Sequence, residues 1–256
     1  MLYPHVRATP DWTQGFDRAW PQNLYLNPTS PLVSMLAFPP GFDISKTPLV
    51  TFRRIDTLLE GSYLDALYRS LHPDSRYLQN ASRTSILSDE PLWNLAPEEY
   101  VRIFTAPRPE GNYATMVVST GGHWTTHLFE ALRDPSMFNE GIQNVVNFFP
   151  EAMRAWADQV QALLHAAARD HPPPPPPVGV GLDKKRALEE AQLARAGTGR
   201  PRQVVVRAYL PGHEDCHDFR EPISRYTKGK NGWYNWNQIG DMNRAFEVRS
   251  SQPVAS

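Results

Sequence analysis

The chain has 256 residues, 41% hydrophobic and 21% charged, with a formal net charge of −1 and an isoelectric point near 6.7. That length fits one large domain or two small ones with a real core, and so balanced a charge gives no global field to draw the chain onto nucleic acid or an anionic membrane. The lone cysteine, Cys216, excludes an internal disulfide framework; no run approaches the ~20 apolar residues of a membrane span, and the opening MLYPHVRATPDW lacks the apolar core of a signal peptide.

Residues 1–50 carry Pro4, Pro10, Pro21, Pro28, Pro31, Pro39 and Pro40, which deny any long helix. The segment is expected to be irregular, with PLVSMLAF and PLVTFRRI as short strands or extended pieces. Leu64, Leu67, Tyr68 and Leu71 recur at helical spacing, and Ser62 is placed to cap that helix. APEEYVRIF, with proline and acids in front, reads as a helix start. The tripeptide Asn80-Ala81-Ser82 is a glycosylation sequon, usable only in the secretory pathway.

YATMVVST is nearly continuous in apolar and β-branched residues, as expected of a strand covered on both faces. It runs into Gly121-Gly122-His123-Trp124, and TTHLFEAL beyond reads as a helix. Strand, Gly-Gly turn and helix make an α/β unit, whose ligands sit at the carboxyl ends of strands. The longest helical stretch covers residues 141–170, with Val145, Phe149, Trp156, Val160 and Leu163 on one face and Pro150 as a kink or the start of a second helix. Six prolines at 172–177 and the charged LDKKRALEEAQLARAG make residues 171–200 an exposed proline-rich insertion.

RQVVVRAYL is the second clear strand. It stops at Pro211-Gly212 and presents His213, Glu214, Asp215, Cys216 and His217. A closing helix places Ile239, Met242 and Phe246 on one face. Both strands thus end at glycine followed by histidine. If they are parallel neighbours, the two turns meet at one rim, where glycine leaves amides open to a developing oxyanion. The rival pattern is a zinc site built on His123, His127, His213 and Cys216, whose nitrogen and sulfur ligands suit that metal.

At VVSTGGHWT, VVVRAYLPGHEDCH and WYNWNQIGDMNRAFE the sequence resembles fungal relatives of the PC-esterase and trichome-birefringence-like proteins, within the SGNH (GDSL-like) hydrolase superfamily. The resemblance spans about 30–250 without the insertion. It implies an α/β fold, an SGNH-like three-layer sandwich with a parallel sheet, formed here by residues 51–170 and 201–250. It also implies an O-acetyl esterase or O-acetyltransferase acting on cell-wall or capsular polysaccharide, without a cofactor, in the Golgi or outside the cell.

Such enzymes use the serine of a GDS block and the acid and base of a DxxH block. Neither block is present: there is no Gly-Asp-Ser, no Asp-x-x-His follows Phe246, and Asp134, Asp215 and His217 lack that context. EGSYLDALYRSL, with Ser62 at a helix start, is the nearest imitation of the nucleophile. The expectation is therefore a truncated or degenerate relative, incomplete at both ends, with little turnover. Its partner is a polysaccharide or acylated sugar, with no nucleic acid and no membrane segment. Gly121, Gly122, His123, Trp124, Arg207 and His213 line the site, and Trp124, Trp233 and Trp236 offer faces to a sugar. A non-catalytic carbohydrate-binding remnant is the remaining alternative.

Overall fold

A computed structural model describes residues 5–9, 22–38, 42–78, 85–88, 94–106, 111, 113–132, 138–170, 203–209 and 238–247. The fold is mixed α/β. It divides into two compact units, one from residues 1–54, 98–116 and 160–205, the other from 55–97, 117–159 and 206–256. No helix among the described residues is long and apolar enough to cross a membrane.

The first unit holds a sheet that the prolines concealed. Strands β1 (Val6–Thr9), β2 (Gln22–Leu26) and β3 (Val50–Phe52) pair antiparallel in that order. Val6 faces Leu26 and Leu24 faces Val50 in the register. The prolines flank these strands and leave their ladders intact, as proline chemistry requires. PLVSMLAF forms no strand: Pro31–Met35 is a 3-10 turn whose first free amide, Leu32 N, donates to the Ser30 hydroxyl at 3.2 Å. PLVTFRRI supplies β3. Helix α1 (Gly61–Leu71) belongs to the second unit, whereas α2 (Pro97–Thr105) brings buried Tyr100, Val101 and Phe104 to the first. Pro97 and the acids Glu98 and Glu99 occupy its first turn, as read from the sequence.

Strands β4 (Thr115–Val118) and β5 (Gln203–Val206) form a separate two-stranded sheet. They run parallel: Gln203 N donates to Ala114 O at 2.9 Å, and four residues on Arg207 N donates to Val118 O at 2.8 Å. The expected side-by-side, same-direction pairing is therefore present. The expected burial of β4 on both faces is not. Its side chains alternate, and Val117 is 62% exposed while Val118 is buried, because so narrow a sheet has one face to cover.

In the second unit, α1 (Gly61–Leu71) starts one residue before Ser62. Glu60 takes the cap position in extended conformation without a side-chain hydrogen bond, so Ser62 is a first-turn residue and not the cap. Leu64 and Tyr68 turn inward. Helix α3 (Phe138–Asp170) is one helix carrying Pro150 in its interior, where a kink or a second start was expected. A proline there removes one i to i−4 bond; Phe148, Phe149, Ala152, Met153 and Trp156 around it are all buried. Helix α4 (Ile239–Glu247) buries Ile239 and Met242.

An aromatic cluster forms the core of this unit. Trp124 stacks on Phe129 with centroids 4.9 Å apart and meets Phe149 edge-on at 4.9 Å. Phe148 meets Tyr68 edge-on at 5.1 Å, and Phe246 of α4 meets Phe149 at 5.7 Å. These are the offset and edge-to-face geometries that ring quadrupoles favour.

The expected helix at TTHLFEAL is instead a series of turns ending in a 3-10 turn at Glu130–Leu132. The Thr125 hydroxyl accepts from the amides of His127 and Leu128, both at 3.2 Å, which is the geometry of a helix cap, but the turns it opens do not continue into an α-helix. The insertion at 171–200 lies outside the described residues.

Candidate functional site

The second unit brings two loops together at the carboxyl end of β4. One is the turn Gly121-Gly122-His123-Trp124, closed by Trp124 N donating to Gly121 O at 3.1 Å. Gly121 has φ of +133°, a conformation that L side chains rarely adopt, so glycine is required there. The other loop runs through Asp56 and Thr57 to Leu58, which has φ of +65° and is buried. A leucine in that region carries about 1–2 kcal/mol of strain, which only surrounding contacts maintain.

A relay of hydrogen bonds joins the two loops. The buried Trp124 indole Nε1 donates to the Thr120 hydroxyl at 3.1 Å, and that hydroxyl donates to the Asp56 carbonyl at 3.1 Å. Beside it, His123 Nε2 lies 3.4 Å from Asp56 Oδ1. The Asp56 side chain is 4% exposed and that of His123 is 49% exposed. A buried carboxylate thus backs an imidazole that opens to solvent. Thr57, also buried, has its hydroxyl 2.7 Å from Leu59 O and 2.8 Å from Asn94 Oδ1, which holds this loop from its far side.

The end of β5 completes the rim. Asn243 of α4 clamps Tyr209: Tyr209 N donates to Asn243 Oδ1 at 3.0 Å, and Asn243 Nδ2 donates to Tyr209 O at 2.9 Å. The amide side chain thereby imitates a neighbouring strand. The clamped residue lays its phenol over the glycines. A Cβ at Gly121 would meet Tyr209 Cβ at 3.4 Å, and a Cβ at Gly122 would overlap the Tyr209 ring and hydroxyl. The Gly-Gly pair is therefore first a notch that admits this ring.

Among the residues singled out in the sequence, Gly121, Gly122 and His123 share this rim. Trp124 does not offer a face to a ligand, because its side chain is 0% exposed within the aromatic core. Arg207 is exposed, and its backbone amide serves the β4–β5 pairing. Ser62 is exposed in the first turn of α1. His127 lies in the turn that replaces the expected helix, so the helical i, i+4 placement with His123 is not formed. His213, Cys216, Asp134, Asp215, His217, Trp233 and Trp236 lie outside the described residues. Among the described residues no group of three or more His, Cys, Asp or Glu is placed to hold a metal ion. Sequence reasoning missed Asp56, Tyr209 and Asn243. The one local signal was an aspartate closing the strand segment PLVTFRRI.

No protein-family model, curated protein or solved structure matches the chain.

Proposed function

We propose that the chain is an acyl-ester site of SGNH-like design, related to polysaccharide O-acetyl esterases and O-acetyltransferases, that binds an acylated sugar at this rim and turns it over slowly. The observation that carries the reading is the Asp56–His123 contact at the carboxyl end of a parallel strand pair. A carboxylate that is buried and adjacent to an imidazole orients the ring and stabilises its cation, which is the acid's part in a triad. His123 Nε2 faces Asp56, so Nδ1 is the nitrogen that serves the substrate.

In the step assigned to the site, a water oxygen bonds to the acyl carbonyl carbon as its proton passes to His123 Nδ1. The tetrahedral intermediate then breaks the bond to the sugar oxygen, and that oxygen takes the proton back from His123. The products are a carboxylic acid and a free sugar hydroxyl. A sugar hydroxyl in place of water gives acyl transfer by the same sequence. This step requires no nucleophilic serine, and without covalent catalysis the turnover is slow.

The test measures acetate release from 4-nitrophenyl acetate and from acetylated oligosaccharide by the full chain. His123→Gln is expected to lower kcat by about a hundredfold, the scale of a lost general base. Ser62→Ala stays within twofold, and Ser62 takes no fluorophosphonate label. A rate indifferent to His123→Gln sinks the reading, while labelling at Ser62 with loss of activity in Ser62→Ala replaces it by a serine mechanism. Activity lost to a chelator and restored by zinc replaces it by the metal reading on His123, His127, His213 and Cys216.

A further inference from the structure

We infer that the Tyr209 hydroxyl, and not the Gly121–Gly122 amides, is the group that stabilises the oxyanion at this site; this deepens the acyl-ester reading and rests on it. Three observations lead here. First, the notch made by the absent side chain of Gly122 is filled by the Tyr209 phenol, with the hydroxyl among the atoms that a Cβ there would strike. The turn therefore carries a phenol beside the amides that the sequence suggested. Second, Gly122 and His123 are consecutive, so the hydroxyl packs against the residue next to the one that carries the imidazole. Third, the ring is held from behind. Both backbone polar groups of Tyr209 are bound by the Asn243 side chain at 3.0 and 2.9 Å, and Ile239 of the same helix lies beside Gly121.

Preorganisation is what separates an oxyanion donor from a surface tyrosine. The phenol is half-buried, and its hydroxyl makes no hydrogen bond with another described residue. A donor held at a fixed place, with no acceptor among the described residues, is available to an oxygen that gains charge. As water attacks, with its proton passing to His123 Nδ1, the carbonyl π pair moves onto oxygen. The Tyr209 O–H donates to that oxygen without transferring its proton. When the intermediate collapses, the pair returns to re-form the carbonyl.

The same geometry gives Asn243 a positioning role. It touches no substrate and acts by fixing the strand end that carries the phenol.

The experiment compares Tyr209→Phe, Asn243→Ala and the double variant with the parent in acetate release from 4-nitrophenyl acetate, alongside thermal unfolding. Tyr209→Phe keeps the ring in the notch and removes only the hydroxyl. It should lower kcat by about ten- to a hundredfold, somewhat below the usual loss of an oxyanion donor because the site is partly open, with KM within twofold and the unfolding midpoint unmoved. Asn243→Ala leaves the hydroxyl but loosens it. It should lower kcat by about three- to tenfold alone and add nothing in the Tyr209→Phe background. An unchanged kcat in Tyr209→Phe, with His123→Gln still inactive, overturns the inference and leaves the acyl-ester reading standing. Losses that multiply in the double variant overturn it too. If neither Tyr209→Phe nor His123→Gln changes the rate, the underlying reading has failed and the inference falls with it.

Discussion

Gly122→Ala isolates the packing of the rim from its chemistry. Gly122 does not have the positive φ of Gly121, so alanine is compatible with the backbone. The clash is local: the new methyl overlaps the Tyr209 ring, whose backbone cannot retreat without breaking two hydrogen bonds to Asn243. Overpacking of this kind costs about 1–3 kcal/mol, offset by about 0.4–1 kcal/mol from the reduced freedom of the unfolded chain. The net loss is then about 1–2 kcal/mol, a fall in unfolding midpoint of roughly 2–8 °C for a chain of this size. In a Tyr209→Ala background the obstacle is gone and only the unfolded-state term remains, so Gly122→Ala becomes neutral or mildly stabilising. The assay is urea unfolding of the four proteins of the double-mutant cycle, with a coupling of about 2 kcal/mol expected between the two positions. Additive effects, within about 0.5 kcal/mol, would refute the claim that the glycine exists to admit the tyrosine.

Thr120→Val should destabilise the chain by about 1–3 kcal/mol, because it strips the buried Trp124 indole of its acceptor and the Asp56 carbonyl of a donor while keeping the side-chain volume. A loss below about 0.5 kcal/mol in urea unfolding would show that the relay is incidental. Burial pushes the pKa of the Tyr68 phenol up, and it does the same for Tyr113. Above about pH 10, the ordinary tyrosine range, the unfolded chain releases these protons before the native chain does. The native state then binds more protons, so stability is full below that range and falls as pH climbs through the native values. Urea midpoints between pH 9 and 11 should drop for the parent and drop less for Tyr68→Phe/Tyr113→Phe; equal slopes would refute the assignment.

The elements with strong periodicity were legible from the sequence. Leu64 and Tyr68 of α1, Val145, Phe149, Trp156 and Val160 of α3, and Ile239 and Met242 of α4 are buried as their spacing required, while Leu67, Leu163 and Phe246 are half-buried and Leu71, at the end of α1, is exposed. β4 and β5 were equally plain, whereas their parallel pairing was a condition that the residues of the two strands did not dictate and that the hydrogen bonds supply. What failed did so where a local rule met a competitor. Prolines outside β1, β2 and β3 suggested an irregular segment, yet the ladders avoid every one of them. At 125–132 a helix-cap geometry does form at Thr125, yet the segment closes in turns and a 3-10 turn at Glu130–Leu132.

The site was legible by half, and the missing half shows why. His123 could be picked out because a histidine after a strand and two glycines is visible within a few letters. Its carboxylate could not, since Asp56 reaches it only after the chain folds a buried loop with a strained Leu58 against the turn. The glycines themselves were ambiguous. A Gly-Gly turn has two physical uses, an open amide cradle or room for a neighbouring ring, and the residues beside it in sequence do not distinguish them. Only the register of β5 against β4, with Arg207 N on Val118 O, carries Tyr209 to the level of the turn. A one-residue slip in that register would send the side chain to the opposite face and leave the notch empty. The chemistry of the rim therefore depends on the alignment of two four-residue strands, which Asn243 fixes from the far end by binding the strand terminus that no third strand pairs among the described residues.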